Sequence, residues 1–379
     1  MISSLTPDTA VETSALIPHR VASRVLTAGP EHVNYRGGIG GVMNVYARYI
    51  SPYKCVTSHT PTARKWQLIP FFLKQYALFV RTLRTDPAIR IVHLQASSYG
   101  SFYRKLVLFL TAKYGFGKRT IYHVHGSEFA VFYQKSNRIT QWLVRFLIEH
   151  TDVVICLSAS WKVFFTETFR VRHIEILGNV IHKPTQPYRD RLRQPGTAPL
   201  RVLFLGVIGD RKGIFDLLDV IREHKSTFSG RLELRIGGNG DIDRLTTYIA
   251  RHNLGDLVHF EGWVSGDDKA RLLSESDVYI LPSYNEGLPL AILEAMSYQL
   301  PIISTPVGGT AEAVIEGVNG FLVPPGDKPA LYDRLMRFVT DPELARRLGD
   351  ESGRIVKRYQ PEAIFPALCV IYERMLEKH

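Results

Sequence analysis

Short apolar runs alternate with longer amphipathic stretches along most of this chain. In the first half the apolar runs end in polar or glycine-containing loops, and the segments between them carry apolar residues at helical spacing. Such runs lie at residues 24–29, 91–94, 120–125, 152–157 and 174–177. Strands that alternate with helices in this way predict a parallel, doubly wound α/β sheet.

The same pattern begins again after a polar segment that is rich in proline and glycine. Strands are predicted at 200–206, 232–236, 258–261, 277–281 and 302–304, and helices at about 214–223, 241–252, 267–275, 288–298 and 328–339. The length of 379 residues also favours two cores. We therefore predict a loose extension at 1–20, an N-terminal Rossmann-like domain at 21–192, a linker at 193–200, a C-terminal Rossmann-like domain at 201–358 and a closing helix at 359–379.

Two carboxylates lie where the strand at 277–281 gives way to the next helix. Glu286 and Gly287 occupy the turn, and Glu294 follows two helical turns later on nearly the same face. Ligands of open α/β sheets bind at the carboxyl ends of strands, and the free N–H groups of a helix N-terminus attract anions. This stretch therefore predicts a ligand site with an acidic pair.

Other strand ends carry loops that suit phosphate groups. They are the glycine cluster at 37–41, the basic turn with Arg211 and Lys212 before Gly213, the loop at 237–240 and the loop at 305–310. Each loop alone is equally consistent with a tight or solvated turn. Their recurrence at successive strand ends favours a nucleotide-type ligand.

Polar side chains also follow strands of the first half. Alternation places His123 and His125 on the same side of their strand, and His125 is closer to the strand's end, where a cleft would open. A histidine there can act as an acid or a base, or position an anion. A hydrogen-bonded structural histidine is the commoner alternative. Ser158 and Ser160 follow the strand at 152–157 in the same manner.

The net charge of +11 is unevenly distributed along the chain. Residues 1–196 contain 26 Lys and Arg against 10 Asp and Glu, whereas residues 197–379 contain 21 against 26. Amphipathic helices predicted at 65–84 and 102–113 combine aromatic and basic residues, although their apolar faces could equally pack on the sheet. An anionic membrane surface or a diphosphate-bearing acceptor explains this charge, and so does simple solubility.

Several classes of protein are disfavoured. No nucleic-acid-binding motif is present, so we expect no nucleic acid partner. Three scattered cysteines give no zinc pattern and fit a reducing compartment. Without a membrane span or a signal peptide in the sequence, we expect a cytoplasmic protein, with peripheral contact to the inner membrane as an option.

The stretch Pro282-Ser-Tyr-Asn-Glu286-Gly-Leu-Pro-Leu-Ala-Ile-Leu-Glu294 resembles the Glu-x7-Glu motif of retaining family-4 glycosyltransferases. The segments 209–213, 305–312, 319–326, 37–41 and 123–126 are similar to that family too. The resemblance covers the chain after about residue 20 and is strongest in the C-terminal half. It implies the GT-B fold, two facing Rossmann-like domains with parallel sheets, and a C-terminal helix that crosses back to the N-terminal domain.

The resemblance also implies roles for individual residues. Glu286 would contact the transferred sugar or the departing oxygen, His125 would face the sugar, and Lys212 would neutralise the donor diphosphate. Glu294 would hold the ribose. The other implied donor contacts are Arg211, Gly287, Leu288, Gly238, Val264, Gly37 and Gly38, and Ser158 or Ser160 would line the acceptor side.

One departure from the family pattern concerns Val207. The family often has an arginine at this position, directly after the glycine of the loop, and that arginine assists the lysine with the diphosphate. Arg211 is the candidate to replace it.

We expect a retaining glycosyltransferase that moves an α-linked hexose from a nucleotide sugar to a glycan or polyprenyl-diphosphate-linked acceptor. Similarity to bacterial polysaccharide mannosyltransferases favours GDP-mannose, with UDP-sugars as alternatives. No Asp-x-Asp metal pair is evident in a donor loop, so no essential metal or other cofactor is expected. A nucleotide-sugar epimerase and a non-catalytic nucleotide-sugar-binding protein are the alternative functions.

Overall fold

The computed structural model describes residues 15–33, 37–60, 65–184 and 198–377. Most of the extension predicted at 1–20, and residues 193–197 of the predicted linker, lie outside the described residues. The remaining chain forms two α/β halves, each built on a six-stranded sheet.

The N-terminal sheet has the strand order β2-β1-β3-β4-β5-β6, and every pairing is parallel. Its strands are β1 Val25–Pro30, β2 Lys54–His59, β3 Ile91–Ala96, β4 Arg119–Val124, β5 Val153–Cys156 and β6 Ile174–Ile176. Its helices are α1 His19–Ala22, α2 Gly38–Tyr49, α3 Leu68–Thr85, α4 Gly100–Leu110, α5 Phe129–Lys135, α6 Arg138–His150 and α7 Ala159–Thr168. A π-helical turn, Thr111–Gly115, extends α4.

The C-terminal sheet has the order β12-β11-β10-β7-β8-β9 and is also wholly parallel. Its strands are β7 Leu200–Leu205, β8 Leu232–Gly237, β9 Val258–Gly262, β10 Val278–Leu281, β11 Ile302–Ser304 and β12 Gly320–Leu322. The helices are α8 Ile214–Glu223, α9 Lys225–Phe228, α10 Ile242–Arg251, α11 Gly266–Glu275, α12 Leu290–Ser297, α13 Thr310–Ala313, α14 Lys328–Thr340, α15 Pro342–Ile355 and α16 Pro361–Glu377.

The predicted α/β architecture is confirmed, although the edge strands β2 and β12 were not predicted. Their residues explain the omission. β2 mixes polar and apolar residues and buries only every second side chain, and β12 has three residues. Helix α12 begins at Leu290 rather than near residue 288, because Pro289 has no N–H and occupies the N-cap position.

The final helix crosses back to the N-terminal domain, as predicted. Its buried side chains, among them Phe365, Leu368 and Tyr372, join the core that lies under β1, β3, β4 and β5. Phe365 packs edge-on against Tyr46 with ring centroids 5.3 Å apart, and stacks on Tyr49 at 5.7 Å. These contacts join the last helix to the core of the N-terminal half.

The carboxyl ends of both parallel sheets open toward one cleft between the halves. Gly287 after β10 approaches His125 after β4 so closely that a Cβ on the glycine would lie 3.1 Å from the histidine carbonyl oxygen. Among the described residues no helix is long and apolar enough to cross a membrane.

Candidate active site

A buried ion pair occupies the centre of the cleft. The Lys212 ammonium donates to Oε1 of Glu286, and the Ser283 hydroxyl donates to the same oxygen at 2.7 Å. The Glu286 side chain is 6% exposed and the Lys212 side chain 13%. The cation and the hydroxyl offset the free-energy cost of removing the carboxylate from water. A buried carboxylate without such partners would be strongly destabilising.

Lys212 reaches this position because its turn packs against the end of β10. Gly213 has a φ of 68°, and a Cβ there would lie 2.0 Å from the Pro282 carbonyl oxygen, so only glycine allows the approach. Arg211 donates from Nη1 to the Asn285 carbonyl oxygen at 3.0 Å. Arg211 and Val207 both line the cleft, and Arg211 therefore places a second cation beside the lysine.

Glu294 lies on α12 at the same wall of the cleft. Its Oε1 accepts a hydrogen bond of 2.6 Å from Nζ of Lys269 on α11, and both side chains are partly exposed. Gly238 and Val264 line the wall beside them. A Cβ on Gly238 would lie 1.8 Å from the Gly206 carbonyl oxygen, so this glycine allows two strand-end loops to touch.

The glycine cluster after β1 forms the opposite rim. Gly37 and Gly38 line the cleft, and a Cβ on Gly38 would meet Leu290 of α12 at 3.4 Å. Gly37 has a φ of 119°, and no described atom lies within 4 Å of its Cβ position, so backbone conformation rather than crowding favours glycine there. The cluster thus faces the start of α12.

The glycine loop after β11 supports the acidic turn instead of lining the cleft. Gly308 has a φ of 56°, and a Cβ on it would lie 1.9 Å from the Glu286 carbonyl oxygen. The Gly309 N–H donates to the Gly287 carbonyl oxygen at 2.5 Å. Two glycines in this loop therefore fix the backbone that carries Glu286.

His125 lines the cleft and is held by two amide side chains. Its Nδ1 lies 2.9 Å from Oδ1 of Asn179, and its Nε2 lies 2.5 Å from Oε1 of Gln95. Asn179 in turn donates to the Leu288 carbonyl oxygen at 2.7 Å, which ties the histidine to the loop after β10. Burial lowers the pKa of His125 to about 4 against a smaller opposing effect of Asn179, and the neutral ring can donate to only one of the two amide oxygens.

A buried polar network continues from His125 to the last helix. Gln95 contacts His93 at 3.2 Å, and Nδ1 of His93 lies 2.7 Å from the Tyr372 hydroxyl of α16. The ring of His123 lies 3.3 Å from His93 and stacks on His125. The crossing helix therefore helps to hold the cleft histidine.

Sequence reasoning missed Gln95, Asn179, Lys269 and Ser283. Gln95 and Asn179 follow or end apolar runs, as the predicted site residues do, but their roles depend on contacts between strands that are distant in sequence. Lys269 is one of two bases on α11, and nothing in the local sequence pairs it with Glu294.

The structure does not bring Ser158 and Ser160 to the cleft. Ser158 is fully buried as the N-cap of α7, where its Oγ accepts from the Trp161 N–H at 3.3 Å. Ser160 donates to the Gly308 carbonyl oxygen at 3.0 Å, and the Ala159 N–H donates to Glu312 at 2.6 Å. The capping geometry directs these hydroxyls into the contact between the two halves.

The cleft has a volume of about 780 Å³. The predicted residues that it brings together are His125, Arg211, Lys212, Glu286, Gly287, Leu288, Glu294, Gly238, Val264, Gly37 and Gly38. Asp241 and Asp243, at the start of α10, have Asp-x-Asp spacing, but neither lines the cleft. Within the described parts of the chain, no group of three or more His, Cys, Asp or Glu side chains is arranged to hold a metal ion.

Known proteins resemble this chain in two ways: in the sequence of its C-terminal half and in its overall fold. Residues 189–354 match the family model described as glycosyl transferases group 1. An uncharacterized glycosyltransferase of Methanocaldococcus jannaschii is 24% identical over 328 residues, 85% of this chain and 86% of that protein. Sucrose-phosphate synthase of Thermosynechococcus elongatus superposes with a TM-score of 0.73 at 20% identity, over 94% of this chain and all of that one.

The chain has the fold of the GT-B glycosyltransferases. A third relative, the amylovoran biosynthesis glycosyltransferase AmsK of Erwinia amylovora, is 35% identical over 157 residues, which cover 40% of this chain and 37% of AmsK. The two paired carboxylates, Glu286 and Glu294, lie within the segment that matches the family model.

Replacing Gly308 with alanine should damage the site as well as the fold. The methyl group cannot fit 1.9 Å from the Glu286 carbonyl oxygen, so the acidic turn must move. We expect a transfer activity at least about tenfold lower, and an unfolding free energy lower by about 2 kcal/mol or more.

Gly317→Ala is the matched control for this substitution. Gly317 has a φ of 72°, but no described atom lies within 4 Å of the position that an added methyl group would occupy, so the variant carries backbone strain alone. It should lose about 1 kcal/mol of stability and keep its activity. Activities are compared under conditions in which Gly308→Ala and Gly317→Ala are folded to the same extent. Equal losses of activity in the two variants would contradict the supporting role of Gly308.

The buried histidines should make the protein sensitive to acid. Burial, with a smaller effect of His125, lowers the pKa of His93 to about 3, and the pKa of His125 is about 4. Because the unfolded chain takes up these protons near pH 6.5 and the folded chain does not, stability is lost as pH falls from about 6.5 to about 4. Each such histidine should contribute about 1.4 kcal/mol per pH unit in that window.

Urea unfolding at a series of pH values measures this slope. His93→Gln should reduce the slope by the contribution of about one proton. A stability that is flat across this window in the wild-type protein would show that the histidines are not held neutral.

Proposed function

We propose that the protein is a glycosyltransferase that moves an α-linked hexose, with retention of configuration, from a nucleotide sugar to a glycan or polyprenyl-diphosphate-linked acceptor in bacterial exopolysaccharide or lipopolysaccharide synthesis. The observation that carries the proposal is the buried Lys212–Glu286 pair, which lies in the cleft opposite His125. The name of the relative AmsK supports the polysaccharide assignment. GDP-mannose is the leading donor, and UDP-sugars are the alternatives.

The C-terminal wall of the cleft suits the nucleotide. Lys212 and Arg211 would meet the two phosphates, because a diphosphate needs cations that reach it at the start of a helix. Glu294, once it shares or releases Lys269, would accept hydrogen bonds from the ribose hydroxyls. Gly238 and Val264, which line the same wall, would border the base.

The environment of Glu286 favours front-face attack over a covalent relay. One carboxylate oxygen already accepts from Lys212 and Ser283, which lowers its nucleophilicity. In the proposed step the bond from sugar C1 to the diphosphate oxygen breaks, and the acceptor oxygen bonds to C1 on the same face. The acceptor's hydroxyl proton passes to the departing phosphate oxygen, while Lys212 stabilises the developing negative charge.

Incubation with labelled nucleotide sugars distinguishes this function from its alternatives. Transfer requires an acceptor, epimerisation of the donor does not, and a binding protein gives neither reaction. We expect an α-configured product by NMR, and activity that survives EDTA, since no metal is part of the proposed step. A trapped glycosyl–Glu286 adduct would overturn the front-face mechanism.

Glu286→Gln should lower kcat by about 100-fold or more, because the neutral amide no longer balances Lys212 or orients the sugar. Glu316→Gln is the matched control, since Glu316 pairs with Arg334 on the exposed surface of the same domain. An equal kcat in the two variants would remove Glu286 from the reaction centre.

The N-terminal domain carries an exposed apolar face that suits a membrane surface. Helices α3, α4 and α6 adjoin one another, since Tyr103 and Thr140 are hydrogen-bonded at 2.9 Å and Tyr76 and Thr111 at 3.0 Å. Exposed apolar residues on or beside these helices are Trp66, Ile69, Leu73, Tyr103, Val107, Leu110, Ile139 and Trp142. With the positive charge of this half, they support peripheral binding to the anionic inner leaflet of a cytoplasmic membrane.

Vesicle cosedimentation tests this membrane contact. The protein should bind phosphatidylglycerol vesicles more than phosphatidylcholine vesicles, and Ile69→Gln with Ile139→Gln should weaken binding by about tenfold. Val370→Gln, which replaces an exposed apolar residue on α16, should leave binding unchanged. Equal binding by both variants, or none by the wild-type protein, would argue against membrane attachment through this face.

A further inference from the structure

A lysine, an arginine and a histidine gather at the carboxyl ends of β1, β2 and β3, beside the loop from which Ser98 and Tyr99 reach the cleft. They are His59 at the end of β2 and Arg104 and Lys105 on α4. We call these three residues the basic cluster. None of them forms an ion pair with a described carboxylate, in contrast to Lys54 and Lys113, which pair with Asp86 and Asp152 in the same domain.

Lys105 is the most unusual member because it is 1% exposed. Its ammonium donates to the Ser58 hydroxyl at 2.5 Å, and that hydroxyl donates to the Gly29 carbonyl oxygen at 3.0 Å. Burial, followed by the charge of Arg104, lowers the pKa of Lys105 to about 7. A buried ammonium with only a neutral partner is costly, and an anion would relieve that cost.

Arg104 lies closer to the cleft. Its guanidinium is half-buried beside the first turn of α4, where a Cβ on Gly100 would approach Nη1 at 3.3 Å. The buried Nε of Arg104 has no hydrogen-bond partner among the described residues. The guanidinium has five N–H donors, and none of them is paired with a described acid. Such a planar group is suited to donate to the oxygens of a phosphate.

Glu31 is the described acid beside the cluster, since its N–H donates to the His59 carbonyl oxygen at 2.8 Å. Its carboxylate accepts from the Thr60 hydroxyl at 2.5 Å and forms no ion pair with His59, Arg104 or Lys105. Among the described residues, the charge of the cluster therefore has no paired acid.

The loop between β3 and α4 connects the cluster to the cleft. Ser98 and Tyr99 line the cleft, and the buried Ser98 Oγ has no hydrogen-bond partner among the described residues. Tyr99 has a φ of 52°, a conformation that is rare for a residue with a side chain and is often found at binding sites. An unpaired hydroxyl and a strained residue thus lie between the basic cluster and the reaction centre.

We propose that the basic cluster binds the diphosphate that links the acceptor sugar to its lipid carrier, with Arg104 and His59 contacting the phosphates and Lys105 stabilising them from below. This assignment rests on the proposed function, because it presumes an acceptor. The donor diphosphate would belong to Lys212 and Arg211 on the other domain, so one diphosphate would lie in the cleft and the other beside it.

Calorimetric titration tests the site without any transfer reaction. The probes are farnesyl diphosphate and inorganic pyrophosphate, and the background is Lys212→Met, which weakens the donor site. Farnesyl diphosphate should bind at least as tightly as pyrophosphate, and Arg104→Gln and His59→Gln should each weaken its binding by about tenfold or more. Arg84→Gln, which removes an exposed base from α3 in the same domain, should have no effect.

Several outcomes would overturn the proposal. If neither farnesyl diphosphate nor pyrophosphate binds the Lys212→Met variant, there is no diphosphate site outside the donor wall. Equal affinities of Arg104→Gln and Arg84→Gln would exclude the cluster. Much tighter binding of pyrophosphate than of farnesyl diphosphate would assign the site to free phosphate compounds instead of a lipid carrier. The melting temperature of each variant establishes that it is folded.

Transfer kinetics then separate the subsite from the proposed function. With a farnesyl-diphosphate-linked sugar as acceptor, Arg104→Gln should raise the acceptor KM by about tenfold and leave the donor KM unchanged. With an alkyl glycoside of the same sugar, which lacks phosphate, the variant should match the wild-type protein. If no sugar is transferred at all, the proposed function fails, and the titration still decides the diphosphate site.

Discussion

The ion pair between Lys212 and Glu286 is the interaction on which the cleft depends. Both side chains are largely buried, and each is tolerable there only because of the other and of the Ser283 hydroxyl. The pair joins the loop after β7 to the loop after β10. Around it, glycines at 213 and 308 let neighbouring backbones approach to distances that any side chain would prevent. The local sequence is thus constrained by packing and by chemistry at the same positions.

The N-terminal half completes the site through polar contacts that cross between the halves. His125 is oriented by Gln95 and Asn179, and Asn179 also bonds to the loop after β10. The network extends to Tyr372 on α16, so the crossing helix contributes to both stability and geometry. His125 thus presents a fixed ring to the cleft, with both nitrogens engaged, whereas the positive charge of the cleft comes from Lys212 and Arg211.

Periodicity predicted the two parallel sheets and most of their strands, because buried strands and amphipathic helices leave strong local patterns. The Glu286 and Glu294 turn was found in the same way, since strand, glycine and helix follow one another directly in sequence. Gln95, Asn179 and Lys269 were missed because their partners lie 25 or more residues away. Ser158 and Ser160 shared the strand-end pattern of the site residues, yet N-cap geometry directs them elsewhere. Local sequence shows which loops reach the cleft, and only the packing shows which side chains enter it.

The central claim is that the Lys212–Glu286 wall binds the diphosphate of a nucleotide sugar. Thermal denaturation with GDP, UDP and ADP tests it most directly, because a ligand that binds only the folded state raises its melting temperature. One of these nucleotides should stabilise the wild-type protein, by about 2.7 kcal/mol at a concentration near 100 times its Kd, and should give little shift with Lys212→Met. An equal shift in the folded variant, or no shift with any nucleotide, would contradict the account.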